Sequence, residues 1–329
     1  MKYILLQHNT PLSIHSPYDI ICGPDKRNLW MYLLIEGIAK VPGYSAVLPV
    51  DINRNIIENI VGEIHVNAQQ GLTDKPKIAL YMETEAVYEA NNKENAIGYH
   101  AIMSHDPLLL KLDGCIPINL PCFSSTFQTY TDGARKGYIM ISGNKSLNAH
   151  KCEKDLYVER RKIIKHFTRK KSNKFDLYGN GWSIPKLILE FRKLTNLWLK
   201  YRLPGTLSCY KGSVDSKYLT LKEYKFNFCY ENCVKDNYLT EKLFDAIIAG
   251  CIPVYWGSDN DKIPKECYID ASKFPSADTL VRYCETLSDE NLSHILAAGQ
   301  RLLTGTATDF SHEEFSAKIL SQVRKIIIN

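Results

Sequence analysis

Short apolar runs typical of buried strands alternate with helical patterns along most of this sequence. In the first part KYILL, YSAVLPV and KIALYM are strand-like, NAIGYHAIM contains a fourth strand, and residues 29–39 have a helical pattern. Later GYIMIS, KFDLYGNGW and YKFNFCYEN are strand-like, and helical patterns cover residues 156–167 and 186–201. Strands that alternate with helices are typical of parallel sheets covered by helices, so the sequence predicts an α/β fold.

The alternation is interrupted at residues 121–136, PCFSSTFQTYTDGARK, where the periodicity is lost and Pro, Ser, Thr and Gly accumulate. We therefore predict a first domain over residues 1–130 and a second over residues 131–310, two Rossmann-like domains facing across a cleft. Ligands of such sheets bind beyond the carboxyl ends of the strands. The amphipathic segment 311–329 is expected to form a helix that packs back on the first domain.

Composition excludes several classes of protein. The net charge of +5, from 41 basic and 36 acidic residues, is too small to indicate nucleic-acid binding but suits an anionic small ligand. No apolar stretch is long enough to span a membrane, and MKYILLQHNT is typical of a first strand rather than a signal peptide. The ten cysteines contain no CxxC pair, which favours free thiols. We expect a cytoplasmic protein, with peripheral contact to the inner membrane as an open alternative.

The segment TEKLFDAIIAGCIPVYW predicts a helix followed by a buried strand. Thr240 is a suitable N-cap, Gly250 a suitable C′ residue, and residues 252–256 the strand. Glu241 and Lys242 then lie in the first helical turn, where unpaired N–H groups and the helix dipole favour an anion. A bound phosphate would explain a lysine there and would leave Glu241 to accept hydrogen bonds from hydroxyls such as those of a ribose. Alternatively, Glu241 interacts with the dipole and Lys242 extends into solvent.

The longer stretch YKFNFCYENCVKDNYLTEKLFDAIIAGCIPVYWGSDN resembles the signature of the α1,3-fucosyltransferase family, glycosyltransferase family 10, in its bacterial branch. The order Tyr-Lys-Phe, aromatic-Glu-Asn, Thr-Glu-Lys and Pro-Val-Tyr-Trp-Gly is kept with its spacing. LYVERRKIIKHF, FDLYGNGW and YKGSVDSKY are also similar, so the resemblance covers residues 137–275 well and the first 135 weakly. It implies a GT-B fold and an inverting transfer of L-fucose from GDP-β-L-fucose to an oligosaccharide or glycolipid hydroxyl. An α1,3 linkage on a bacterial surface glycan such as lipopolysaccharide O-antigen is the expected product.

The resemblance also implies which residues bind the donor. Arg160 and Lys242 would clamp the pyrophosphate, with Arg161 as the alternative to Arg160. The other implied donor contacts are Ser142, Glu231, Asn232, Tyr238 and Glu241. Because these cations would stabilise the leaving GDP, we expect GDP-fucose to be a co-substrate with no metal or further cofactor required.

An inverting transfer also needs a carboxylate that accepts the proton of the acceptor hydroxyl. In the family this base is a glutamate in a Glu-Ser-Pro element after a strand of the first domain. Here the corresponding segment is ALYMETEAVYEAN, in which Glu85 aligns with the family glutamate but Ala86 and Val87 replace Ser-Pro. Glu83 is the alternative base.

Two other patterns have simpler explanations. Asp259-Asn260-Asp261 has the D-x-D form that holds a metal in other glycosyltransferases, but it follows a strand with a cationic site and is interpreted as a polar loop. The basic run 151–174 also contains acids, which favours a solvated helix face over nucleic-acid binding. Two functional alternatives stay open: a transferase that uses another nucleotide sugar, and a non-catalytic nucleotide-sugar or glycan-binding protein that lost its base.

Overall fold

The computed structural model describes residues 1–8, 24–126, 135–147, 149–184 and 205–329. The helix expected at residues 186–201 and part of the interrupted segment, residues 127–134, lie outside the described residues. The strands, numbered in chain order, are β1 Lys2–His8, β2 Tyr44–Val47, β3 Ile60–Val66, β4 Lys77–Tyr81, β5 Ala101–Ser104, β6 Cys115–Pro117, β7 Lys136–Ile141, β8 Lys154–Asp155, β9 Phe175–Tyr178, β10 Ser183–Ile184, β11 Gly205–Thr206, β12 Tyr224–Tyr230, β13 Cys233–Val234, β14 Ile252–Trp256 and β15 Ile269–Asp270. The helices are α1 Leu29–Ala39, α2 Arg54–Glu58, α3 Leu156–Arg169, α4 Lys217–Leu221, α5 Glu241–Ile248, α6 Ala277–Thr286, α7 Asp289–Thr304 and α8 His312–Val323.

The chain divides into two compact units. Unit 1 comprises Met1–Thr126, Asp236–Leu239 and Thr308–Asn329, and unit 2 comprises Phe127–Lys235 and Thr240–Ala307. The four residues 236–239 belong to unit 1 although the chain on both sides of them belongs to unit 2. No helix in the described parts of the chain is long and apolar enough to cross a membrane.

Unit 1 contains a parallel six-stranded sheet in the order β2-β1-β3-β4-β5-β6. Helix α8 packs in the same core as α1, with the Trp30 and Phe315 rings edge to face at 5.1 Å. Two glycines allow the C-terminal segment to approach closely. An added Cβ would lie 2.7 Å from a Leu320 methyl at Gly37 and 2.6 Å from an Ile327 methyl at Gly62. The amphipathic C-terminal segment therefore completes the core of unit 1.

Unit 2 contains a parallel five-stranded sheet in the order β15-β14-β12-β7-β9. The chain runs outward from β7 to β9 and then crosses to β12 on the other side of β7. The gap between β7 and β12 is thus the point where the strand order reverses, and ligands of open α/β sheets bind at its carboxyl edge. Helix α3 begins at its N-cap Asp155, which accepts from the Tyr157 amide, and buries Ile164 and Phe167 in the core under this sheet.

The two parallel sheets confirm the predicted α/β class. Helix α1 and strand β14 have the predicted bounds, and Gly250 has the positive φ of 68° expected after helix α5. Strands β3 and β6 were not predicted. β3 carries a buried glutamate and a buried histidine, which hide its apolar pattern, and β6 is only three residues long. Every cysteine among the described residues is a free thiol.

The polar residues in β3 form a buried hydrogen-bond network. Glu63 has no exposed surface, and its carboxylate accepts from Gln7 at 2.9 Å, from His65 at 2.8 Å, and from the backbone and hydroxyl of Thr73 at 2.6 Å. Burial alone would raise the pKa of Glu63, but the bonds from His65, Thr73 and the Leu72 amide outweigh it and lower this pKa to about 2.

The folded pKa of Glu63 therefore lies below its ordinary value, so the carboxylate stabilises the fold above pH 4.5. We expect up to about 3 kcal/mol of this stability to be lost as the pH falls from 4.5 towards 2. Urea unfolding at pH 5 and pH 3 measures the loss. Glu63→Gln should be less stable at pH 5 and should lose less on acidification. Equal losses in wild type and variant would contradict the assignment.

Candidate active site

Residues from four segments of unit 2 meet at the carboxyl edge of its sheet, at the gap between β7 and β12. Ser142 directly follows β7, and Glu231 and Asn232 directly follow β12. Arg160 reaches the same edge from α3, and Lys242 reaches Glu231 from the first turn of α5. Five of the implied donor residues are thus close together where the topology favours a ligand.

Arg160 is the centre of this group. It is 3% exposed, and its guanidinium donates to the Ser142 hydroxyl at 3.1 Å, to the Asn232 side-chain oxygen at 3.2 Å and to the Tyr230 carbonyl. The ring of Tyr157, one helical turn earlier, lies 4.4 Å from the guanidinium carbon, and its hydroxyl donates to Asn232 at 3.0 Å. The side chain is therefore fixed on several sides.

All the partners of Arg160 among the described residues are neutral. An arginine side chain stays protonated in proteins, and a buried charge without a counter-ion is costly. A bound anion would offset this cost, so the geometry indicates an anion site. Arg161, the alternative, is half-buried and donates to the backbone oxygen of Lys145 instead.

Glu231 organises the start of α5. Its side chain has no exposed surface, and it accepts from the Thr240 amide at 2.9 Å, the Thr240 hydroxyl at 2.8 Å and the Lys242 ammonium at 3.2 Å. Lys242 also donates to the Thr240 hydroxyl at 2.7 Å. Direct contact of Glu231 with a donor, implied by the resemblance, is not available to a fully buried carboxylate. Glu231 instead positions Thr240 and Lys242.

Thr240 precedes the helix as predicted, but the prediction of a capping hydrogen bond is wrong. The helix begins at Glu241, and the Thr240 side chain makes no capping bond to it. The threonine hydroxyl instead donates to Glu231, which follows β12, and accepts from the Lys242 ammonium. The first-turn amides of α5 are therefore not occupied by this side chain, which suits an anion at the helix start.

Glu241 is held by a lysine that sequence reasoning missed. Lys217 lies 2.9 Å from Glu241 and 2.7 Å from the buried Asp245, and Lys242 lies 3.9 Å from Glu241 on the other side. Lys217 opens helix α4 directly after its N-cap Ser216, where the helix dipole disfavours a lysine. A lysine in a first helical turn is what drew attention to Lys242, and the same reasoning could have identified Lys217. The Glu241 carboxylate, one third exposed, is thus fixed in orientation.

Tyr238 belongs to unit 1, whereas the other implied donor residues belong to unit 2. Its side chain has no exposed surface, its ring packs edge to face on His105 at 5.3 Å, and its hydroxyl donates to the Glu83 carboxylate at 2.7 Å. The donor contact implied for Tyr238 is therefore not available to it in this structure. The structure instead brings Tyr238 together with one of the two candidate bases.

The two candidate bases follow β4 and are both half-buried. The backbone of Glu83 is fixed because its amide donates to the Asn67 side chain at 3.1 Å and its carbonyl accepts from Asn91 at 2.7 Å. Asn67 has a positive φ of 61°, which asparagine tolerates better than most residues. Glu85 lies in the turn that follows. The backbone and the carboxylate of Glu83 are thus both oriented by hydrogen bonds.

The D-x-D loop after β14 is tied to a neighbouring lysine. Asp259 forms an ion pair with Lys265, and the Asn260 side chain accepts from the Lys262 amide at 3.0 Å. Over the described ranges, no three His, Cys, Asp or Glu side chains converge in a way that could hold a metal ion.

Two units that each contain a parallel sheet covered by helices are the architecture of the GT-B fold. The crystal structure of an α1,3-fucosyltransferase with GDP-fucose matches this fold with a TM-score of 0.53, covering 100% of this chain and 92% of that chain at 15% identity. Residues 151–295 match the sequence model of glycosyltransferase family 10 (fucosyltransferase), C-terminal part. This segment, less than half of the chain, is therefore similar to family 10, as the resemblance in the sequence predicted.

Curated relatives also match this chain over short segments only. Alpha-(1,3)-fucosyltransferase C of Drosophila melanogaster is 41% identical over 81 residues, which cover 24% of this chain and 19% of that protein. Alpha-(1,3)-fucosyltransferase FucT of Helicobacter pylori is 33% identical over 122 residues, which cover 36% of this chain and 25% of that protein. The matches thus span about a quarter or less of these relatives.

Proposed function

We propose that this protein is an inverting glycosyltransferase that moves L-fucose from GDP-β-L-fucose to a hydroxyl of a glycan acceptor. The match of residues 151–295 to the family 10 model supports fucosyl transfer as the reaction. The main support for a donor site here is the environment of Arg160. It is a buried cation at the strand-order reversal, and its described partners are all neutral. A nucleoside diphosphate supplies the missing negative charge.

On the donor side, Arg160 and Lys242 bind the diphosphate. Negative charge accumulates on GDP as its bond to the sugar breaks, and cations that are already oriented stabilise it without reorganisation. Ser142 and Asn232 keep the Arg160 guanidinium in place, and Glu231 keeps Lys242 in place. Glu241, held by Lys217, accepts from hydroxyls of the ribose or the sugar.

On the acceptor side, a carboxylate takes the proton while the acceptor oxygen attacks the anomeric carbon. The attack occurs on the face opposite GDP, so the new bond forms as the old one breaks and the configuration inverts. We propose Glu83 as this base in preference to Glu85, because the Tyr238 hydroxyl orients its carboxylate. A general base of this kind contributes about 100- to 10,000-fold to the rate.

We extend the proposal to an α1,3 linkage on a bacterial surface glycan such as lipopolysaccharide O-antigen, made in the cytoplasm with peripheral contact to the inner membrane. The mild positive charge of the chain is compatible with an anionic membrane surface. The alternative donor is another nucleotide sugar, because Arg160 and Lys242 recognise phosphate and not the hexose.

Release of nucleotide in the presence of different donors and a panel of oligosaccharide acceptors tests this proposal. We expect turnover with GDP-fucose and little with GDP-mannose or UDP-glucose. The rate should persist in excess EDTA, because Arg160 and Lys242 already neutralise the phosphates. Loss of activity on chelation, restored by manganese, would contradict the metal independence. Tight GDP binding without turnover of any donor would instead indicate a non-catalytic binding protein.

A further inference from the structure

The Tyr238 hydroxyl meets the Glu83 carboxylate inside unit 1. The oxygen-to-oxygen distance is 2.7 Å, and Tyr238 has no exposed surface. The side chain of His105 packs against the ring of Tyr238 with an interplanar angle of 67°, which limits the positions that the hydroxyl can take. Tyr238 is therefore able to influence a reaction through Glu83 but not by touching a ligand itself.

We propose that Tyr238 is a positioning residue for the general base rather than a contact to the donor. This inference rests on the proposed function, in which Glu83 accepts the acceptor proton. The hydrogen bond to Oε2 fixes the orientation of the Glu83 carboxylate. A hydrogen bond donated to the ionised form also favours that form. Tyr238 thus keeps the base both oriented and ionised.

The position of Tyr238 in the chain adds a second reason. Residues 236–239 belong to unit 1, whereas Thr240 and the residues after it belong to unit 2. The segment turns sharply, with Asn237 at a positive φ of 58° and the Leu239 amide donating to the Asn237 carbonyl at 3.1 Å. Tyr238 stands four residues before Lys242. One short stretch of chain therefore carries both the residue that orients the base and the lysine proposed to bind phosphate.

The titratable groups at this contact include Tyr238, which bonds Glu83 directly, His105, which packs on the ring of Tyr238, and Glu85, two residues along the chain. The backbone of Glu83 is held by the side-chain amides of Asn67 and Asn91, which do not titrate. A change in pH dependence on removal of the Tyr238 hydroxyl is assigned to Glu83 when the same change is absent in a Glu83→Gln background.

The test is Tyr238→Phe, which keeps the ring on His105 and removes only the hydroxyl. We expect kcat with GDP-fucose to fall about 10-fold, the equivalent of one hydrogen bond to a charged group. The acid limb of the kcat profile should move to higher pH, while the Kd of GDP-fucose stays unchanged. The control is Tyr88→Phe, since the Tyr88 hydroxyl donates to the Ala68 carbonyl and not to a carboxylate. This variant should retain the wild-type profile.

A double-mutant cycle separates positioning from general damage to the fold. In a Glu83→Gln background, Tyr238→Phe should have little further effect on kcat, because the two residues act as one unit. A raised Kd for GDP-fucose with an unmoved acid limb would overturn the proposal in favour of a donor contact. An unchanged kcat in Tyr238→Phe would also overturn it. An inactive wild-type enzyme would instead reject the proposed function, so the two failures are distinguishable.

Discussion

Arg160→Met should lose most of the affinity for GDP while the unliganded protein stays folded. The substitution removes a charge whose described partners are neutral, so the free protein loses hydrogen bonds but no ion pair. Replacing a buried charged side chain with an apolar side chain of similar volume often changes the stability of the fold little. The bound diphosphate, in contrast, loses its charged donor, which should cost roughly 1.5–3 kcal/mol, or about 10- to 100-fold in Kd.

Calorimetric titration with GDP and thermal unfolding with and without GDP measure both effects. Arg161→Ala is the matched control, because Arg161 is the next residue in α3 but contacts the Lys145 backbone. We expect it to bind GDP like the wild type. If Arg160→Met bound GDP normally and Arg161→Ala did not, the anion site would have to be reassigned to Arg161.

Glu83→Gln should be nearly inactive and should bind GDP normally. The amide keeps the size of the side chain and can still accept from Tyr238, but it cannot take a proton. The expected loss in kcat is about 100- to 10,000-fold, the usual contribution of a general base. Glu85→Gln should retain substantial activity. Steady-state rates with GDP-fucose, together with calorimetry, distinguish loss of chemistry from loss of binding.

The reverse pattern would assign the base to Glu85, as alignment with the family element favours. Two active variants would remove this segment from the mechanism. Alignment favoured Glu85 because it stands in the place of the family glutamate, although Ala86 and Val87 replace the Ser-Pro that follows. The structure adds the contact with Tyr238, which comes from a distant part of the sequence.

Much of the fold could be predicted because its signals are local. Apolar runs and helix ends located α1, α5 and β14, and the family signature covers the segment from β12 to β14. Strand β3 was missed because Glu63 and His65 interrupt its apolar pattern. Their hydrogen bonds go to Gln7, Thr73 and Tyr99, so the reason for polar residues in this strand is not local.

In the candidate site, too, features with a local sequence signal could be predicted and features that depend on distant residues could not. The residues proposed to bind phosphate were identified from motifs, but the burial of each candidate side chain could not be predicted. Glu231 and Tyr238 were both implied as donor contacts, and both are fully buried in the structure. Their partners, Thr240 and Glu83, define what they do. Lys217 lies in the family-like stretch YKGSVDSKY but was not singled out, because its pairing with Glu241 and Asp245 depends on how α4 packs on α5.

The configuration of the released sugar tests the central claim, inverting transfer from GDP-fucose, most directly. Because the natural acceptor is not needed, GDP-β-L-fucose is incubated with a high concentration of enzyme and water serves as the acceptor. Proton NMR then follows the anomeric signals before mutarotation equilibrates them. The account predicts that GDP and α-L-fucose form first and together, and that Glu83→Gln forms neither. Initial release of β-L-fucose, or equal release by Glu83→Gln, would contradict it.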